Sequence, residues 1–287
     1  MAVNQRENLL LMGYAKVQSW DLGFIVSILF ADDTSVFIEG TNYNSILEIL
    51  NNELEKVNIW LNANKLTINI KKTHYILFHR TRIKNKTNKQ IYINGNNISN
   101  TNSTKFLGVI IDSKLNWCEH IQYIKNKISK SNGILYKIRH FLDKNTLRNM
   151  YFTFVYPYLI YCIEVWGNAF DSHLTPLINL QKKTIRTITF SYYLEHTAPI
   201  FKKLNILSFK KLVTQRISLI MYKRHLNILP SPIVNLFSMN NTQHNYNTRQ
   251  HTHFRTQIGK TEHVYKLFSF HGANIWNHMS NKISLDV

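Results

Sequence analysis

Cysteine and acidic residues are both scarce in this chain of 287 residues. The two cysteines, Cys118 and Cys162, stand far apart without Cys-x-x-Cys spacing, which excludes a disulfide framework and a zinc site of the usual kind. Cys118-Glu119-His120 lacks further ligands at suitable spacing, so Cys118 reads as a small packing residue. Only 16 Asp+Glu stand against 35 Lys+Arg, a formal net charge of +19 that points to a polyanionic partner, nucleic acid first. The A+T-rich codons of Asn, Lys, Ile, Tyr and Phe account for some of the lysine, but not for the deficit of acids. A membrane-spanning run is missing too. The uncharged stretch Asn149 to Ile163 is too short to span, Pro157 interrupts it and Glu164 closes it, so it reads as buried helix and no membrane partner is expected. Before Leu22 the one continuous apolar run is Leu9 to Met12, with no small-residue cleavage site. The chain is therefore expected to be nuclear or cytoplasmic and not secreted. Hydrophobic residues make up 44% of the chain, enough for a real core in one large domain or two smaller ones.

What is there is organised around Ile28-Leu29-Phe30-Ala31-Asp32-Asp33-Thr34-Ser35-Val36-Phe37-Ile38, an acidic pair between two apolar runs. Both flanks read as buried strands joined by a tight turn, which places the carboxylates at a hairpin tip. Side chains alternate faces along a strand, so a metal on one face takes its inner-sphere ligand mainly from one of them, assigned to Asp32, with Asp33 secondary. Hard cations such as Mg2+ or Mn2+ want such oxygen ligands, and phosphoryl-transfer enzymes use them in pairs. The plain alternative is that aspartate in a turn hydrogen-bonds its own backbone.

Further along, Ile46, Ile49, Leu50, Leu54, Val57, Trp60 and Leu61 recur at helical spacing and predict a core-facing helix from near Thr41 to Asn62. Leu66 to Ile70 and Tyr75 to Phe78 read as strands. Arg80, Arg82, Lys84, Lys86 and Lys89 form a basic loop, a solvated stretch or a phosphate contact. Gly95-Asn96-Asn97 reads as a hairpin turn, and Gly108 inside the apolar run Phe106 to Ile111 marks a bulge or a close backbone approach. From Glu119 on, Ile121, Ile124, Ile128, Leu135 and Ile138 alternate with Lys125, Lys127, Lys130, Lys137 and Arg139, an amphipathic helix with a basic outer face suited to phosphates. Helical patterns follow over Leu174 to Ile188 and Phe209 to Leu226, and Leu229-Pro230-Ser231-Pro232 ends the regular region. Met239 to Lys260 reads as a long irregular arm, and its histidines lack the cysteine partners of a zinc site. Tyr265 to Trp276 is a small apolar piece expected to dock back.

The Phe30-Ala31-Asp32-Asp33-Thr34 stretch resembles the active-site hairpin of reverse transcriptases from non-LTR, jockey-type retrotransposons. Trp60 to Asn69 with Lys71-Lys72-Thr73 is similar to the next palm segment. Phe106 to Asp112, then Leu115, Trp117, His120 and Ile121, is similar to the primer grip and the start of the thumb. Tyr161 to Gly167, Leu180-Gln181-Lys182-Lys183 with Arg186, His196 to Pro199, Asn247 to Arg249 and Trp276-Asn277 look like the region after the palm. The resemblance implies an α+β fold: a partial polymerase palm, an antiparallel sheet with a packed helix, over 23–113. A helical thumb and connection over 114–232 and a C-terminal region over 233–287 would follow. It implies an RNA-directed DNA polymerase that extends a primer 3′ end on an RNA or DNA template–primer duplex with deoxynucleotides. Asp32 and Asp33 would hold metal, Lys72 or its competitor Lys71 would meet the pyrophosphate, and Phe106, Leu107 and Gly108 would position the primer. Residues 1–22 match no palm element, and the fingers and a further metal-binding aspartate are not found. The chain is thus expected to be a fragment that binds metal only if its site is completed, and to be inactive alone. The alternative is a non-catalytic, basic nucleic-acid-binding remnant.

Overall fold

The computed structural model describes residues 7–13, 25–30, 33–40, 43–78, 90–242, 253–256, 259 and 262–280. The fold is mixed α/β with helix predominating, in two compact units that divide between Glu119 and His120.

In the first unit six strands form one sheet: β1 (Glu7–Gly13), β2 (Ile25–Phe30), β3 (Asp33–Gly40), β4 (His74–Phe78), β5 (Ile91–Ile93) and β6 (Asn96–Asn100). Their order is β2-β3-β1-β4-β6-β5. β2 and β3 pair antiparallel with Phe30 opposite Asp33, so the two apolar flanks of the acidic pair are neighbours in one sheet. β1 lies between β3 and β4, antiparallel to both. The sequence pattern gave no element to the segment before Gly23, yet this interior strand lies there. Leu9 to Met12 is the short continuous apolar run that such a strand carries, too brief to be told from other apolar segments by periodicity.

α1 (Tyr43–Ala63) packs its stripe of Leu47, Leu50 and Leu54 against Val36, Ile38, Leu77 and Ile91 in one core. Each such leucine contributes about 1.5–3 kcal/mol by leaving water. The helix ends where Lys65 turns left-handed at φ 57°, with the Leu66 N–H donating to Leu61 O at 2.9 Å and the Lys65 N–H to Asn62 O at 3.1 Å. Leu66 to Ile70, expected as a strand, is instead irregular and runs into a 3-10 turn, Ile70–Lys72. Its alternation is real, but Ile68 and Ile70 pack onto the core without joining the sheet. The Thr73 hydroxyl closes the turn by donating to Asn69 O at 3.0 Å.

Two further hairpins differ from expectation by where their turns fall. Between β5 and β6 the turn is Asn94-Gly95, at φ 50° and 72°, one residue earlier than Gly95-Asn96-Asn97. β7 (Ser103–Phe106) and β8 (Val109–Asp112) pair with Phe106 opposite Val109, so Leu107-Gly108 is itself a two-residue turn and not a bulge within a strand. Both turns hold two consecutive positive φ angles, the primed geometry that glycine makes accessible. The buried Asp112 carboxylate then organises the following loop, accepting from the backbone N–H groups of Lys114, Asn116 and Trp117 at 3.1, 3.2 and 2.8 Å.

The second unit is helical: α2 (Cys118–Ile138), α3 (Lys144–Phe154), α4 (Tyr156–Ile160), α5 (Ile163–Trp166), α6 (Asp171–Thr189), α7 (Thr197–Lys203), α8 (Phe209–His225), α9 (Ser231–Val234), α10 (Glu262–Lys266) and α11 (Phe268–Ser280). Cys118 is exposed at the start of α2 rather than packed. The apolar stretch around Asn149 to Ile163, expected as one buried helix, is broken into three. Pro157, which has no N–H to donate, sits in the first turn of α4, and Cys162 turns left-handed at φ 50° before α5. Trp166 is fully buried, donates from Nε1 to Tyr161 O at 2.9 Å and meets the Phe209 ring at 5.6 Å. Gly167 lets α5 and α8 approach: a Cβ there would stand 2.4 Å from Ile163 O and 2.8 Å from Val213 Cγ2.

The C-terminal apolar piece does dock back, with α11 packed on α8. A lone bridge pairs Met239 with Phe254. The Asn277 carboxamide grips Phe254 like an adjoining strand, accepting from its N–H at 2.9 Å and donating to its carbonyl at 2.8 Å. Among the described residues no helix is long and apolar enough to cross a membrane.

Candidate functional site

The sheet register brings two of the expected site segments to one end of the first unit. Met12 of β1 pairs with Ser35 on one side and with His74 on the other, roughly 10 Å apart across two strand spacings. β3 and β4 both run antiparallel to β1, so Asp33 and Lys72, each two residues before those partners, lie toward the same end. Asp33 is the first residue of β3, while Asp32 and the Asp33 side chain lie outside the described residues. Lys71 and Lys72 are both exposed on the 3-10 turn, and nothing in that geometry favours one over the other. The basic run Arg80 to Lys89 lies outside the described residues.

β7 adjoins the start of β4, where the His74 ring nitrogen Nε2 and the Thr104 hydroxyl share a hydrogen bond. Its hairpin carries Phe106 half-buried, with Leu107 and Gly108 at the turn and Leu107 exposed. Among the described residues no three His, Cys, Asp or Glu side chains converge as a metal site. A pair of Mg2+ or Mn2+ ions needs several carboxylates to clamp them about 4 Å apart.

In the second unit the five bases of the α2 pattern separate. Lys130 and Lys137 stand opposite the buried stripe of Ile121, Ile124, Ile128 and Leu135, while Lys125 and Lys127 flank it on opposite sides, at about 100° per residue. Arg139 lies just past the helix end, its guanidinium 4.3 Å from the Tyr136 ring and 5.1 Å from that of Phe190. Its Nε donates to His140 Nε2 at 3.3 Å.

Sequence patterning missed a second cationic surface. Lys125 reaches an open cavity of about 430 Å³ that Lys182, Lys183 and Arg186 of α6 also line. Lys182 continues into a neighbouring cavity of about 680 Å³, lined as well by His196, Lys202 and Lys211. The signal was present in Lys182-Lys183 with Arg186 one turn later, but the cations of α7 and α8 join them only in three dimensions.

Buried groups of this unit hold these helices in place. Gln181 of α6 donates from Nε2 to Tyr151 Oη at 2.9 Å and to Leu207 O at 3.0 Å, and accepts from the Phe209 N–H at 2.9 Å. Burial pushes the Tyr151 phenol up to about 12. Burial likewise pushes the His120 imidazole down to about 4, where it stands edge-on to the Trp166 ring at 5.3 Å.

No family model matches the chain, and no solved structure matches it significantly. Three curated relatives do. The RNA-directed DNA polymerase from mobile element jockey of Drosophila funebris is 29% identical over 171 residues, 58% of this chain and 18% of that protein. Its counterpart in Drosophila melanogaster is 27% identical over 183 residues, 62% of this chain and 19% of that protein. The probable RNA-directed DNA polymerase from transposon X-element of Drosophila melanogaster is 25% identical over 163 residues, 56% and 18% of the two chains. The chain spans less than a fifth of the length of the curated relatives it matches. Over about three-fifths of its own length it is similar to a region of non-LTR retrotransposon reverse transcriptases, as its motifs suggested.

Proposed function

We propose that this chain is a piece of the RNA-directed DNA polymerase of a non-LTR mobile element, and that it carries part of the palm and a template–primer-binding helical thumb. The observation that carries the proposal is the register placing Asp33 and the Lys71-Lys72 turn at one sheet end, in a chain similar to such polymerases. In the intact polymerase that end would face the primer terminus and the incoming deoxynucleotide. The acidic hairpin would supply metal ligands through Asp32 first, the lysine turn would meet the departing pyrophosphate, and the Phe106-Leu107-Gly108 hairpin would position the primer.

Alone, the chain binds template–primer and does not extend it. Two-ion chemistry needs several carboxylates converging from different strands, and the acidic hairpin supplies a single pair, so no chemical step is assigned to this piece by itself. Purified chain given primer–template, all four deoxynucleotides and Mg2+ or Mn2+ should bind the duplex yet show no extension above an Asp32→Ala control. Extension lost only in that control would overturn the fragment reading and show a complete site.

A second reading, a non-catalytic basic remnant that grips nucleic acid, is favoured by the exposed Lys127, Lys130 and Lys137 of α2. Mn2+ titration separates the two. If the hairpin keeps its ligand role, paramagnetic broadening at β2 and β3 should vanish in Asp32→Asn and weaken less in Asp33→Asn; no broadening in the unaltered chain leaves the binding remnant.

A further inference from the structure

We propose that the paired cavities along α6 form a groove for single-stranded nucleic acid, separate from the outer face of α2 that serves duplex. The proposal rests on the reading of the chain as a nucleic-acid binder.

Lys182 lines both cavities, so they meet at its side chain. Lys183 and Arg186 extend the positive charge on one side, and Lys202 and Lys211 on the other, while no carboxylate lines either cavity among the described residues. Cations gathered without acids repel one another, and a bound polyanion relieves that repulsion. Lysines on helices are ordinarily solvated one by one. Here they arrive from α2, α6, α7 and α8 on one continuous surface, as a backbone-tracking groove requires.

The choice of a single strand comes from the loop between α6 and α7. Tyr192, Tyr193 and Leu194 are 88%, 78% and 86% exposed, and the latter two line the cavity beside Arg186. Apolar groups of this size shown to water together mark a binding surface. The loop is held in this presentation: Phe190 closes α6 at φ 58°, the Ser191 N–H donates to Arg186 O at 3.0 Å, and Arg186 donates from Nε and Nη2 to Glu195 O at 2.9 and 2.8 Å. Unpaired bases offer their faces to such tyrosines, whereas duplex keeps its base faces stacked on one another and offers phosphate alone. Cations beside rigid exposed aromatics therefore select an unpaired strand, RNA or DNA.

The test is fluorescence anisotropy on the full chain, with a labelled oligo-dU, the matching oligo-rU and a duplex of equal length at one salt concentration. The variants are Lys182→Gln with Lys183→Gln, Tyr192→Ala with Tyr193→Ala, and Lys127→Gln with Lys130→Gln and Lys137→Gln. All these side chains reach solvent, and thermal melting confirms that each variant folds. The tyrosine pair and the α6 lysine pair should each weaken single-strand binding about tenfold or more while moving duplex binding less than about threefold; the α2 triple should do the reverse. Unchanged single-strand affinity in the tyrosine variant, or equal losses for strand and duplex, overturns the groove. Wild-type binding to duplex but to neither oligonucleotide also sinks the groove and leaves the wider reading intact. Binding to none of the three overturns both.

Discussion

The amide of Gln181 and the hydroxyl of Tyr151 meet at 2.9 Å inside the helical unit, thirty residues apart in sequence, and tie α6 to α3. The same carboxamide holds Leu207 O and the Phe209 N–H, so one side chain satisfies a part-buried carbonyl and a buried N–H on either side of the turn into α8. Replacing Gln181 with Leu removes all three bonds, two of them from buried partners. Each buried unsatisfied group costs about 1–3 kcal/mol, so the variant should lose about 2 kcal/mol or more, read as a lower urea midpoint. A loss under about 1 kcal/mol would mean that water replaces the amide.

Gly167 invites a complementary change. Adding a single methyl as Gly167→Ala drives a Cβ against the Ile163 carbonyl and Val213, so α5 must part from α8. Overpacking of this kind typically costs about 1–3 kcal/mol. The melting temperature should fall, and the shortened Val213→Ala in the same chain should restore only part of it, because the Ile163 carbonyl clash is with backbone.

His120 gives the unit a pH dependence. Its folded-state pKa, about 4, lies below its unfolded value near 6.5, so between these values the unfolded chain binds more protons. The contribution is full above pH 6.5 and is lost as pH falls toward 4. His120→Phe should flatten urea-midpoint-versus-pH across that window, with a residual slope from His271, which burial also lowers. An unaltered slope would place the titration elsewhere.

Where sequence and structure part, the cause is tertiary. The long periodic segments were readable: Ile46, Leu50, Leu54 and Leu61 are buried as their 3.6-residue spacing implied, while Ile49, placed on the same stripe, is exposed. Ile68 and Ile70 alternate as a strand would, yet their place is set by the core beneath them. Leu107-Gly108 looked like strand interior because its neighbours are apolar, whereas two positive φ angles make it a turn. The hairpin around Asp32-Asp33 was legible from its two apolar flanks, which pair as β2 and β3. The α6 groove was not, because its cations come from four helices whose adjacency no linear pattern records.

The outer face of α2 should govern the ionic-strength dependence of duplex binding. Phosphate contacts make log affinity fall linearly with log salt, by about 1 per contact. Exchanging Lys127, Lys130 and Lys137 for Gln should flatten that slope by as many contacts as they make, measured by anisotropy titrations from low to moderate salt. An unchanged slope would move the duplex surface off this helix.

The central claim is that this piece binds nucleic acid as a polymerase-derived thumb and not as a general polycation, and competition at matched salt tests it most directly. Labelled primer–template duplex bound to the chain should resist displacement by heparin or anionic vesicles of equal charge concentration, and should yield to unlabelled primer–template. Equal displacement by all three competitors would contradict the account and leave a polyanion binder with a net charge of +19 as its only explanation.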